Sequence, residues 1–170
     1  MMLLVIRPAA LLALLLAPLA MADDGVSMYR YPDISNDEIV FVYANDLWRV
    51  PIDGGTALPL ASPEGVELTP RFSPDGEHVA FVGNYDGGRD LYTVPTAGGI
   101  PTRVTHHPAT ELLSDWTTGG ELLFSASGTS GVPRAERAFR VSKDGGLPEA
   151  FPIPYGANAT LNRDGTMLAY

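Results

Sequence analysis

Ser73-Pro74-Asp75-Gly76-Glu77-His78-Val79-Ala80-Phe81, continued by Asp90-Leu91-Tyr92-Thr93-Val94 and Gly98-Gly99, is one copy of a unit that returns along this chain. Leu91-Tyr92-Thr93-Val94 is preceded by Leu47-Trp48-Arg49-Val50 and followed by Ala138-Phe139-Arg140-Val141. Each copy leads to a glycine pair, Gly54-Gly55, Gly98-Gly99 and Gly145-Gly146, so both marks step by 44 and then 47 residues. The apolar half recurs in phase, as Glu38-Ile39-Val40-Phe41, Glu121-Leu122-Leu123-Phe124 and Thr166-Met167-Leu168-Ala169-Tyr170. A fixed period of about 40–50 residues with several short strands per unit reads as the blades of a β-propeller.

The grammar of a blade follows from the same copy. Thr69-Pro70-Arg71-Phe72 is expected to be the inner strand, beside the central channel. Ser73-Pro74-Asp75-Gly76 is a turn, because Pro presets φ, Asp bonds local backbone and Gly accepts positive φ. His78 to Gly83 is the second strand, Asp90 to Val94 the third and Ile100 to Val104 the outer one. In Ile39-Val40-Phe41-Val42-Tyr43 and Val79-Ala80-Phe81-Val82 nearly every residue is apolar, which suits strands covered on both faces. The fold class expected is all-β, with four-stranded blades at about 32–60, 70–104 and 111–151 and the start of a fourth at 157–170. The last unit stops inside its strand at Tyr170, so the chain reads as a truncated propeller.

The first 22 residues read as a targeting segment. One positive charge, Arg7, precedes the apolar run Ala9 to Ala20, which is too short to span a bilayer and ends in Ala20-Met21-Ala22. A signal peptide over 1–22 is expected, with cleavage after Ala22 and a periplasmic or secreted mature chain of about 148 residues over 23–170. Losing Arg7 moves the formal charge from −9 to −10, and Lys143 is the single lysine. So acidic a surface repels phosphate backbones and anionic lipid, which argues against nucleic acid or membrane as partners. Cysteine is absent, which removes disulfides and thiol chemistry.

The residues that could carry chemistry read as structural. His106 and His107 are adjacent, and neighbours on extended chain point to opposite sides, so they do not share a metal ion easily. Ser73 belongs to a repeat turn and is not set beside a base and an acid. Asp53, Asp86, Asp90, Asp144 and Asp164 fall in Gly-rich turns, where aspartate bonds local amides, and the spacing of a calcium loop is absent. Trp48, Tyr92 and Phe139 recur at one blade position and are assigned to packing, as is Trp116, which matches Phe72. No catalytic, cofactor-binding or metal-binding residue is therefore expected in this chain. Arg71 and Asp115, on inner strands, are the polar side chains expected to face the channel.

The Ser-Pro-Asp-Gly turn, the strand ending in Ala80-Phe81, Asp90-Leu91-Tyr92-Thr93-Val94 and the glycine pair resemble the PD40 propeller repeat. That repeat occurs in TolB-like proteins, in relatives of prolyl oligopeptidase and in tricorn proteases. Tyr31-Pro32-Asp33-Ile34-Ser35, Asp46-Leu47-Trp48-Arg49-Val50-Pro51 and Pro70-Arg71-Phe72-Ser73-Pro74-Asp75-Gly76 resemble the opening propeller of the tricorn family. The resemblance covers about Tyr29 to Tyr170. It implies a large serine peptidase with two propellers, a PDZ-like domain and a catalytic core, whose propellers pass peptides to and from the active site. The catalytic Ser, His and Glu of that family lie far downstream and match no position here. The partners implied are peptides or unfolded polypeptide, the downstream domains of the same chain and, compatibly, further copies of it. A TolB-like periplasmic binding module is the alternative that these residues leave open, and a prolyl oligopeptidase relative is a third.

Overall fold

The computed structural model describes residues 28–128, 135–162 and 164–170. The expected signal peptide lies outside the described residues. Every element among them is a β-strand. The first sheet is the meander β1 (Arg30–Ile34), β2 (Glu38–Tyr43), β3 (Asp46–Pro51) and β4 (Leu58–Ala61). The second is β5 (Glu67–Phe72), β6 (His78–Gly83), β7 (Asp90–Pro95) and β8 (Thr102–Arg103). The third is β9 (Glu111–Trp116), β10 (Glu121–Ser127), β11 (Glu136–Ser142) and β12 (Glu149–Ala150). A two-stranded pair, β13 (Thr160–Leu161) and β14 (Leu168–Ala169), follows. All pairing is antiparallel between chain neighbours, which gives the four-stranded blade of a propeller.

The apolar runs explain the stacking. In β6, Val79 and Phe81 face the first sheet and join Val40, Val42 and Leu47 in one core. The alternate residues Ala80 and Val82 face the third sheet and join Leu113, Leu122 and Phe124 in a second core. Successive strand side chains point to opposite faces, so an uninterrupted apolar strand serves two interfaces at once. Phe81 and Phe124 are fully buried, and each such ring contributes about 1.5–3 kcal/mol. Leu123 and Ala138, on the far face of the third sheet, bury against Ala159 and are flanked by Phe151, Ile153, Leu161 and Leu168.

One hairpin device repeats four times. Backbone N–H groups of Ser35, Ser73, Thr117 and Asn162 donate to the carbonyls of Glu38, His78, Glu121 and Met167 at 2.8–3.0 Å. The side-chain oxygens of the same four residues accept the returning N–H of those partners. The sheets are also stitched to each other in register. The N–H groups of Glu67, Glu111 and Gly156 donate to the carbonyls of Asn45, Arg89 and Glu136 in the preceding sheet.

The strand limits depart from expectation at both edges of the second sheet. The inner strand begins at Glu67 rather than Thr69, because a bulge between Leu68 and Arg71 lets pairing continue past Pro70. Thr69 takes φ +47° there, and Tyr31, also before a proline, takes φ +53° in the matching bulge of β1. The outer strand shrinks to Thr102–Arg103 and leaves Ile100 exposed. Pro101 has no N–H to give to a ladder.

Candidate functional site: the inner edge and the grooves between blades

Of the first strands, β5 lies against both β1 and β9, and the three form the inner edge of the assembly. Asp33, Arg71 and Asp115 hold one position on these three strands, each directly before an apolar residue, the exposed Ile34 or the buried Phe72 and Trp116. The bulges turn the first two toward the next sheet. Asp33 Oδ2 accepts the Phe72 N–H at 2.7 Å. Arg71 donates from Nε to the Ser114 carbonyl at 3.2 Å and from its terminal nitrogen to the Pro70 carbonyl at 2.9 Å. Trp116 returns the link by donating Nε1–H to the Arg71 carbonyl at 2.9 Å. Arg71 is thus a strut between blades. Asp115 accepts its neighbour's N–H and borders a polar concavity of about 750 Å³ shared with Asp33, Asp37, Glu38 and Asp75. Among the described residues no group of three or more His, Cys, Asp or Glu is placed to hold a metal ion.

Ser73, Asp75 and His78 meet in one turn but serve the backbone. The Ser73 hydroxyl donates to Asp75 Oδ1 and accepts from the His78 N–H at 2.9 Å. That serine hydroxyl holds the Asp75 carboxyl below its ordinary range, helped by the Glu77 N–H. The imidazole Nδ1 of His78 is buried without a partner. The turn aspartates divide: Asp164 accepts the local Thr166 N–H and hydroxyl as expected, whereas Asp86 and Asp90 pair with the Arg103 guanidinium at 3.0 and 2.8 Å in place of local amides. Tyr92 is buried and Phe139 packs on the second core, whereas Trp48 stays half-buried and outside both cores.

The grooves between sheets hold what sequence reasoning missed. Glu67 and Glu111 open β5 and β9 and are fully buried. Burial pushes the Glu67 carboxyl up to about 7, against the opposing hydrogen bond from Tyr85 and with help from the Asp46 charge. Burial pushes Glu111 to about 7 as well, against the Thr105 hydroxyl that donates to it and with help from Asp90. The signal was present: the two glutamates are 44 residues apart, the same spacing as Phe72 and Trp116. Their neighbours, Val66 and Leu68 about Glu67 and Leu112 and Leu113 after Glu111, do not by themselves set them apart from exposed strand glutamates.

A four-stranded repeat with this inner edge defines a propeller segment, and comparison with known proteins narrows it. Residues 26–170 match the Tricorn protease N-terminal beta propeller domain. The chain belongs to that family. It is 30% identical over 128 residues to Tricorn protease homolog 1 of Streptomyces coelicolor, covering 75% of this chain and 12% of that protein. The crystal structure of the tricorn protease superposes with a TM-score of 0.62 at 26% identity, over 70% of this chain and 13% of the other. TolB from Acinetobacter baumannii superposes at 0.70 over 84% of this chain and 37% of the other, at 20% identity, and shares the fold. The chain therefore spans about an eighth of the length of these two tricorn proteins.

Proposed function

We propose that this chain is the leading propeller segment of an exported tricorn-like serine peptidase and governs peptide access to, or product exit from, a catalytic core carried elsewhere in the protein. The match of 26–170 to the tricorn N-terminal propeller carries the reading. The physical role fits a sheet assembly whose inner strands are tied together by Asp33, Arg71 and Trp116. The acidic concavity beside it disfavours anions and suits neutral or basic extended polypeptide.

The test uses the full-length protein. This segment contains no cysteine, so Asp115→Cys gives one labelling site within it. A bulky maleimide adduct there should slow cleavage of peptides of about twenty residues at least fivefold and leave short fluorogenic peptides unaffected. Equal slowing of both would remove the gating role. A full-length protein with no peptidase turnover would return the reading to a TolB-like binding module. Export is tested separately, by an N-terminus at Asp23 in the periplasmic fraction of a Gram-negative host. An intact Met1 in the cytoplasm would refute it.

A further inference from the structure

Between the first and second sheets, the chain fills the groove with its own phenol. The Tyr85 ring meets Tyr92 edge-on at 4.6 Å between centroids and Phe81 at 6.3 Å. It lies over Gly83, where an added Cβ would stand 3.0 Å from its Cε2. Its hydroxyl donates to Glu67 Oε1 at 2.7 Å. Four residues thus make a seat for one phenol: two rings, one small residue and one buried carboxyl.

The same four positions recur one sheet later. Phe124 pairs with Phe139 across β10 and β11 as Phe81 pairs with Tyr92 across β6 and β7, with stacked rings at 5.5 and 5.8 Å. Ala126 stands opposite Arg137 as Gly83 stands opposite Asp90. Glu111 opens β9 as Glu67 opens β5. All four, Phe124, Phe139, Ala126 and Glu111, line a single cavity of about 510 Å³. Between Phe81 and Tyr92 the sequence supplies Tyr85, whereas no aromatic residue stands between Phe124 and Phe139.

We propose that this cavity is a binding site for a para-substituted phenol. The ring sits against Phe139 and Phe124 over Ala126, and its hydroxyl reaches Glu111, as Tyr85 does in the neighbouring groove. A hydroxyl both donates and accepts. Glu111, whose Oε2 already accepts from the Thr105 hydroxyl, provides its other oxygen as the acceptor. Arg137 borders the same cavity with its Nε buried and unpartnered, and provides a donor. The volume is in the range of small-molecule sites, and Leu147, almost fully exposed at the rim, offers apolar surface to the para substituent. The inference is independent of the gating role.

Binding to the full-length protein is measured by calorimetry with p-cresol, toluene, N-acetyl-tyrosine amide and N-acetyl-phenylalanine amide. Each phenol should bind at least tenfold more tightly than its deoxy partner, because a site built to hydrogen-bond a hydroxyl rejects the analogue without it. Tighter binding of the tyrosine amide than of p-cresol assigns a polypeptide side chain as ligand, and the reverse order assigns a small free phenol. Ala126→Leu fills the seat and should weaken p-cresol at least tenfold, while Glu111→Leu should abolish the preference for p-cresol over toluene. Tyr85→Ala supplies a reading that does not depend on those variants folding. It vacates the first groove, so p-cresol should raise its melting temperature more than that of the wild type and bind with one additional equivalent. Equal affinity for p-cresol and toluene, or an unchanged p-cresol affinity in Ala126→Leu, would overturn the proposal.

Discussion

Asp33 Oδ2 accepts the backbone N–H of Phe72 at 2.7 Å, so a side chain of the first blade completes the inner strand of the second. The bond spans 39 residues of sequence and is made possible by the bulge that turns Asp33 sideways. Asp33→Ala leaves that N–H unpaired beside the buried Phe72 ring, which costs about 1–3 kcal/mol. Asp33→Asn keeps an acceptor oxygen and should recover at least half of the loss. Urea midpoints of the full-length protein compare the three, and equal midpoints for Asp33→Ala and the wild type would refute the link.

The two buried glutamates make stability depend on pH in a definite direction. Their carboxyls titrate at an ordinary value of 4.5 when unfolded and at about 7 in the folded chain. Between those limits the native state holds protons that the unfolded state has lost. Stability from these groups is therefore fully present below pH 4.5, declines as pH rises toward 7, and is level above that. Each group limits the slope to about 1.4 kcal/mol per pH unit. Glutamine mimics the neutral acid and does not titrate, so Glu67→Gln with Glu111→Gln should flatten the melting temperature between pH 5 and 7. Tyr85→Phe should move the Glu67 window to higher pH, since the lost phenol bond is what lowers that carboxyl. Parallel melting curves for wild type and the double variant would exclude the assignment.

What could be read from sequence and what could not divide along a physical line. Turn chemistry and strand periodicity are local, so the Ser73-Pro74-Asp75-Gly76 turn and the strand from His78 to Gly83 are recognisable without any partner in view. The recurrence of these marks carries the architecture. Side-chain roles at sheet interfaces are non-local. Arg71 reads as a channel-facing charge, yet the bulge at Thr69-Pro70 aims it at the Ser114 carbonyl of the next blade. Glu67 lies ahead of the strand expected from Thr69, and the preceding sheet is what buries it. The sequence places Tyr85 between Phe81 and Tyr92 and no aromatic residue between Phe124 and Phe139, but that these pairs correspond is visible only from the register of both sheets.

Two glycines of the second blade resist substitution for opposite reasons. Gly76 has φ +74° with open space around a built Cβ, so Gly76→Val should cost about 1–3 kcal/mol from backbone strain alone. Gly76→Asn should cost less, because asparagine tolerates the left-handed region. Gly83 has no such φ, but an added Cβ would lie 2.8 Å from Tyr92 Cδ2 and 3.0 Å from Tyr85 Cε2. Gly83→Ala should therefore be relieved in part by Tyr85→Ala in the same molecule, and Gly76→Val should not. Denaturant midpoints of the single and double variants decide this. Identical responses of the two glycine variants to Tyr85→Ala would show that the clash is not what excludes a side chain at 83.

Trp116 and Arg71 are joined twice, and the two links should prove separable. The indole Nε1–H donates to the backbone carbonyl of Arg71, while the guanidinium Nε donates to the carbonyl of Ser114. Trp116 is buried, so Trp116→Phe leaves the Arg71 carbonyl short of a donor and opens space beside it, at a cost of about 1–3 kcal/mol. Arg71→Ala removes the half-buried guanidinium bonds and should cost about 0.5–1.5 kcal/mol. Neighbouring residues ordinarily couple by 0.5 kcal/mol or more. Here the acceptor for the indole is main chain and survives truncation of the arginine side chain. The double variant should accordingly lose about the sum of the two single losses, within roughly 0.5 kcal/mol. A double variant no less stable than Trp116→Phe alone would mean that the arginine side chain, and not its carbonyl, is what the indole depends on.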